Sequence, residues 1–180
     1  MKKAVFLDRD GVIIEDSGYI ENIEDVKFFP FTMEVLKKLK EHYELFIVTN
    51  QSGIGRGLIT EEGVERVHAY ILDELRKNDI HIKELYCCPH INEDKCICKK
   101  PNPYFLLEAE KKYNIDIKNS FVIGDHPSDV EFGFSVGATG IYVLTGHGEK
   151  HLSELKHREL IFDSLKETAE WILEGNKTEN

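Results

Sequence analysis

Long apolar runs are missing from this chain. Nothing approaches the roughly 18–20 consecutive apolar residues that a membrane-spanning helix needs, so a helical bilayer protein is excluded. A basic excess is missing as well. Lys and Arg number 23 against 33 Asp and Glu, for a net charge of −10. That is the reverse of the footprint left by nucleic-acid or anionic-surface binding. Cysteines spread along the chain, as a disulfide framework requires, are also lacking: all four fall between Cys87 and Cys98. Two lysines lead directly into an apolar strand with no signal-peptide core or cleavage site, which points to a cytoplasmic protein. No repeat, low-complexity tract or linker interrupts the chain, so residues 1–180 read as one domain. The polar tail, 176–180, reads as a frayed, disordered end.

What is present alternates. Short apolar runs at Lys3–Leu7, Leu45–Thr49, Ile82–Cys87, Ser120–Gly124 and Gly140–Leu144 predict strands, with Glu159–Phe162 as a short edge strand. Between them, helix-period segments occupy Phe31–Lys40, the stretch after the Thr60 N-cap, the stretch after Pro103 and Ser128–Val136. Ser164 with Glu167 reads as a capping box opening a last helix through Leu173. This order predicts an α/β fold: one doubly wound, Rossmann-like domain around a central parallel sheet.

Three strands end in reactive side chains. The first runs into Asp8-Arg9-Asp10-Gly11, and in an extended chain Asp8 and Asp10 would point the same way. The second ends in Thr49-Asn50-Gln51-Ser52, and the fourth in Gly124-Asp125, with Asp129 four residues on. Lys99-Lys100-Pro101 precedes a helix. A parallel sheet presents all four segments along one edge, where open α/β sheets bind ligands. Taken singly, each has an ordinary reading: a turn for Thr49 and Asn50, a solvated charge for Lys100, an N-cap for Asp125. The acidic balance adds a condition. A phosphate ligand would need local positive charge from a metal ion, Lys or Arg, or helix N-termini.

The ordered set Asp8-x-Asp10-Gly-Val, Thr49, Lys100 and Gly124-Asp125 with Asp129 resembles the four-motif signature of the haloacid dehalogenase-like phosphatases, over nearly the whole chain. The resemblance implies that Asp8 is a nucleophile forming an aspartyl-phosphate. It makes Asp10 the general acid and then base. Mg²⁺ would be held by Asp8, the Asp10 carbonyl and Asp125. Thr49 would bind a phosphoryl oxygen, Lys100 would balance charge, and Asp129 would support the metal or Lys100.

The cysteines carry a separate signal. Cys88-Pro-His90, five residues, then Cys96-Ile-Cys98 offers a Cys₃His set for structural Zn²⁺ in a loop at about 87–100. Free thiols or a disulfide are the alternatives. Cys87, last in its strand, has no assigned role. This loop, with Asn50-Gln51-Ser52-Gly-Ile-Gly-Arg56-Gly, resembles the histidinol-phosphate and D-glycero-D-manno-heptose 1,7-bisphosphate phosphatase subgroup. The implied activity is hydrolysis of the 7-phosphate of the heptose bisphosphate in surface-polysaccharide precursor synthesis, with histidinol phosphate as the alternative. A non-enzymatic zinc-loop interaction module is the remote one. Three features depart from the subgroup: a short zinc loop, Lys99 where Arg would give a bidentate fork, and His126 where Lys is typical. Thirty-eight residues separate Asp10 from Thr49 and fifty separate Thr49 from Lys100, too few for a cap domain. Specificity therefore falls to Ser17–Asp25, Ser52–Gly57 and the zinc loop. Asn50, Gln51, Ser52, Arg56, Lys99 and His126 are the expected contacts to a small phosphorylated metabolite, whereas Gly146-His147-Gly148 reads more readily as an ordinary turn than as a loop near the site. No apolar stripe suggests an oligomer, so a monomer is expected.

Overall fold

Alternating apolar strands need cover on both faces, and the computed structural model shows how it is supplied. It describes residues 1–156, 158 and 160–175. The strands are β1 (Ala4–Leu7), β2 (Glu44–Asn50), β3 (Ile82–Cys88), β4 (Phe121–Gly124), β5 (Thr139–Val143) and β6 (Ile161–Phe162). They form one sheet in the order β3-β2-β1-β4-β5-β6. Every pairing is parallel. The helices are α1 (Thr32–Leu39), α2 (Ser52–Gly55), α3 (Glu61–Lys77), α4 (Tyr104–Tyr113), α5 (Pro127–Phe134), α6 (Gly148–His151) and α7 (Leu165–Leu173). None of the described helices is long and apolar enough to cross a membrane.

Period-two alternation sorts the strand side chains into two cores. Val5, Leu7, Leu45, Ile47, Ile123 and Val143 meet α1, α3 and α7 on one face. Ala4, Phe6, Phe46, Val48 and Val122 meet α4 and α5 on the other, where Phe6 stacks on Phe46 at 4.8 Å. The single doubly wound α/β domain is therefore as expected, with β1 and β4 at the switch point where strand order reverses. Among the described residues, no second domain occupies the gaps between Asp10, Thr49 and Lys100.

Thr60 caps α3, its hydroxyl accepting from the Gly63 N–H at 3.0 Å. Three local expectations change. Ser52–Gly55 is a turn of helix rather than plain loop. The helix after β4 begins at Pro127, whose fixed φ suits the first helical position, with His126 as N-cap. At Ser164 the capping box is not reciprocal: its hydroxyl accepts from the Lys166 N–H at 3.0 Å and donates to Glu167 at 2.5 Å. The expected strand start at Glu159 and the tail, 176–180, lie outside the described residues.

Candidate active site

The carboxyl ends of β1, β2 and β4 and the segment before α4 enclose a cleft of about 700 Å³. Lys100 sits at its centre, with 4% of its side chain exposed. Its ammonium lies 2.8 Å from Asp8 Oδ1 and 2.6 Å from Asp129 Oδ1, and donates to the Val48 carbonyl at 2.8 Å. Burial works against its charge, but Asp129 and Asp8 outweigh that and hold its pKa above the ordinary lysine value. Asn50 fixes the Lys100 backbone from both sides. Its side-chain oxygen accepts the Lys100 N–H at 3.1 Å, and its amide donates to the Lys100 carbonyl at 3.4 Å.

Asp10 faces differently from Asp8. Strand β1 ends at Leu7, and Ile13 and Ile14 turn back to donate to the Arg9 carbonyl. The alternation rule therefore does not extend to Asp10. Both aspartates line the cleft, but the Asp10 carboxylate turns toward Arg9 and Gln51. Arg9, fully buried, donates from Nε at 3.0–3.1 Å and from a terminal nitrogen at 2.9 Å. The Gln51 amide donates to Asp10 at 2.8 Å and to Thr49 Oγ1 at 2.8 Å. Burial raises the Asp10 pKa; Arg9 counters this and the Asp8 charge adds to it, leaving a net rise.

Asp8, Asp125 and Asp129 each place a carboxylate oxygen within 4.8 Å of the others. Burial, then Asp8 and Asp129, pushes the Asp125 pKa up to about 8. Asp129 rises to about 6, chiefly by burial. Three crowded carboxylates of this kind fit Mg²⁺, which takes hard oxygen ligands. The crowding is enforced by backbone: Gly11, at φ +79°, leaves no room for a Cβ, which would fall 2.2 Å from Asp125 Oδ2. A consequence follows for pH. A carboxylate with a raised native pKa keeps its proton where the unfolded chain has lost it, so its contribution to stability falls as pH rises from about 4 through about 8. Mg²⁺ needs the ionised form. Its stabilisation should therefore increase across that range, by about 3–5 °C in unfolding midpoint for each tenfold gain in affinity. Thermal melts with and without Mg²⁺ at several pH values test this; a pH-independent shift counts against it.

Cys88, His90, Cys96 and Cys98 come together at the end of β3. Their sulfurs lie 3.1–3.7 Å apart, and His90 Nδ1 is 3.3–3.5 Å from two of them. A tetrahedron of ligands at about 2.3 Å has edges of about 3.8 Å, so the cluster has the size of a closed zinc site. Burial raises the pKa of the Cys88 and Cys98 thiols, whereas at Cys96 the backbone N–H groups of Lys99 and Cys98 outweigh burial and lower it. Cys87 stands outside the cluster, and burial pushes its thiol up to about 11.

Ser52, Lys99 and His126 line the cleft, whereas Arg56 is exposed and outside its wall. Lys99 Nζ donates to the His90 carbonyl at 3.1 Å. The His147 N–H donates to Asp125 at 2.7 Å, placing that loop at the site, and its ring lies 2.9 Å from Asp16. Tyr19 forms another wall, packed against Gly53. Arg9, Asp16, Tyr19 and His68 were not among the expected site residues. Arg9 is buried, and its charge finds its partner in the neighbouring Asp10.

Comparison with known proteins agrees with this geometry. The HAD-hydrolase-like family model matches residues 97–168. The chain is 37% identical over 172 residues to a Helicobacter pylori protein, covering 94% of this chain and 97% of that one. It is 39% identical over 169 residues to a Campylobacter jejuni protein, covering 92% and 96%. The chain belongs to the haloacid dehalogenase-like phosphatase family. Within it, the Helicobacter relative is named D-glycero-beta-D-manno-heptose-1,7-bisphosphate 7-phosphatase and the Campylobacter relative is the alpha counterpart. The D,D-heptose 1,7-bisphosphate phosphatase of B. bronchiseptica, solved with magnesium and phosphate, superposes with a TM-score of 0.88 at 26% identity. It covers 96% of this chain and 98% of that one.

Proposed function

We propose that this chain is a Mg²⁺-dependent phosphatase removing the 7-phosphate of a D-glycero-D-manno-heptose 1,7-bisphosphate through an aspartyl-phosphate on Asp8. The observation that carries the chemistry is the Asp8 carboxylate held 2.8 Å from buried Lys100 at the switch point of the sheet. The near end-to-end match to heptose-bisphosphate phosphatases supports the substrate.

Asp8 Oδ attacks phosphorus and the bond to the sugar oxygen breaks, while Asp10 delivers its proton to that oxygen. Asp10 then takes a proton from water, the water oxygen attacks phosphorus, and the bond to Asp8 breaks, releasing inorganic phosphate. The raised pKa of Asp10 suits the acid role. Lys100 offsets the repulsion between Asp8 and the phosphoryl group, which would otherwise cost several kcal/mol in a poorly solvated cleft. Thr49 accepts from Gln51, so its own hydroxyl hydrogen remains to bind a phosphoryl oxygen. Asp8, Asp125 and the Asp10 carbonyl would hold Mg²⁺ beside Asp129; bound there, it supplies charge neutralisation for the transferring group. Asn50, Gln51, Ser52, Lys99 and His126 would contact the substrate, with Arg56 reaching it from outside the cleft wall. The protein would act in the cytoplasm as a single-domain monomer.

Cys88, His90, Cys96 and Cys98 would hold a structural Zn²⁺ that stiffens the chain leading into Lys99 and Lys100. Metal analysis should then give about one equivalent of zinc, and Cys98→Ser should lose it together with about tenfold of activity. A zinc-free protein with full activity would rule this out. The substrate is tested by kcat/KM on the α and β heptose bisphosphates against histidinol phosphate. A preference of about 100-fold or more for one heptose anomer is expected; a preference for histidinol phosphate overturns the assignment.

A further inference from the structure

Helix α3 packs an apolar stripe of Val64, Val67, Ile71 and Leu75 against the sheet, and His68 is buried on the same helix. A histidine there is out of keeping with its neighbours until its partner is found. Arg9 NH1 lies 3.1 Å from His68 Nε2. Arginine can only donate, so Nε2 must be the accepting nitrogen of a neutral ring. Burial first, and the Arg9 charge second, hold the His68 pKa down to about 3, so the ring stays a neutral acceptor at working pH.

We propose that His68 is a positioning residue: by accepting the outer Arg9 N–H, it keeps the guanidinium fork seated on Asp10, aiming that carboxyl at the leaving oxygen. Arg9 is fully buried, so no bulk water can satisfy the terminal nitrogen that does not reach Asp10. With His68 in place, Nε and one terminal nitrogen serve Asp10 while the other is anchored in α3. Without it, the guanidinium must turn to find another acceptor, and the acceptors in reach include the same Asp10 oxygens. His68 touches neither substrate nor the reacting atoms and acts through two side chains.

This inference rests on Asp10 being the general acid, and the experiment separates the two. A general acid matters where the leaving group is a poor one, as in an alkyl phosphate, and little for p-nitrophenyl phosphate, whose leaving phenolate needs no proton. In His68→Leu, kcat/KM should fall about tenfold on the alkyl phosphate that the wild type turns over best and less than about twofold on p-nitrophenyl phosphate. His68→Gln, whose side-chain oxygen can accept from Arg9, should restore most of the loss. Equal loss on both substrates, no loss on either, or failure of Gln to restore would overturn the proposal. If His68→Leu does not fold, His68→Asn, too short to reach Arg9, replaces it against the same His68→Gln comparison. Asp10→Asn is the control. If it shows no leaving-group dependence, the reading of Asp10 fails; if it shows one and the His68 variants do not, only the role of His68 fails.

Discussion

Asp8→Asn is expected to lower kcat by at least about 10⁴-fold on any phosphate ester while leaving the protein folded. The amide has no anionic oxygen to attack phosphorus and no route to an aspartyl-phosphate. Its effect on folding should be small or favourable. Asp8 is one of the charges that raise the Asp125 and Asp129 pKa values, and its removal relieves that crowding. Lys100 keeps Asp129 at 2.6 Å and the Val48 carbonyl at 2.8 Å. The expected pattern is therefore lost turnover with an unfolding midpoint equal to or above that of the wild type. Steady-state kinetics and thermal melts check it. Residual turnover above about 1% would remove Asp8 from the nucleophile's place.

Lys100→Met should damage both stability and activity. Methionine approximates the lysine stem without its ammonium, so Asp8 and Asp129 lose their shared cation in a buried site. Breaking a buried ion pair from one side typically costs about 3–5 kcal/mol, and urea unfolding should show a loss of that order. The same deletion leaves the Asp8 charge uncompensated as it approaches a phosphate, so kcat/KM should fall about 10³-fold. The two readouts have different failure modes. Unchanged stability would mean that the carboxylates relax into solvent; unchanged kcat/KM would mean that Lys100 is structural only.

Much of this was legible in the sequence, for reasons that differ by residue. Strand runs such as Leu45–Thr49 and Phe121–Gly124 are apolar on both faces, which only a covered parallel sheet explains. Once the sheet is parallel, chain order alone brings Asp8, Thr49 and Asp125 to one edge. The approach of Cys88, His90, Cys96 and Cys98 to one another was legible from their spacing, and Lys100 from its place in the ordered motif set. The orientation of Asp10 was not: the strand end at Leu7 is legible, but the turn after it, in which Ile13 and Ile14 donate to the Arg9 carbonyl, leaves no mark in Asp8-Arg9-Asp10. His68 was illegible too. Its position reads as one more site on an amphipathic helix, and only the three-dimensional approach of Arg9, 59 residues away, gives it a partner. Tyr19 was hidden in a similar way, since its seat on Gly53 joins two loops that sequence analysis treats separately.

The Asn50 clamp on the Lys100 backbone has a consequence beyond the site it serves. The end of β2 and the turn after it are stitched to the 87–100 loop by that clamp, by the Gln51 N–H donating to the Cys88 carbonyl at 2.7 Å and by the Gly55 N–H donating to the Pro89 carbonyl at 3.0 Å. What fixes the Lys100 backbone thus lies on the inner side of the loop, while its ammonium is held by Asp8, Asp129 and the Val48 carbonyl, all outside it. The outer arc, Asn92–Lys95, is exposed and takes no part in those ties. The outer arc is thus separate from the anchored base of the loop. Changes confined to that arc should therefore leave the registration of Asp8, Asp129 and Lys100 intact.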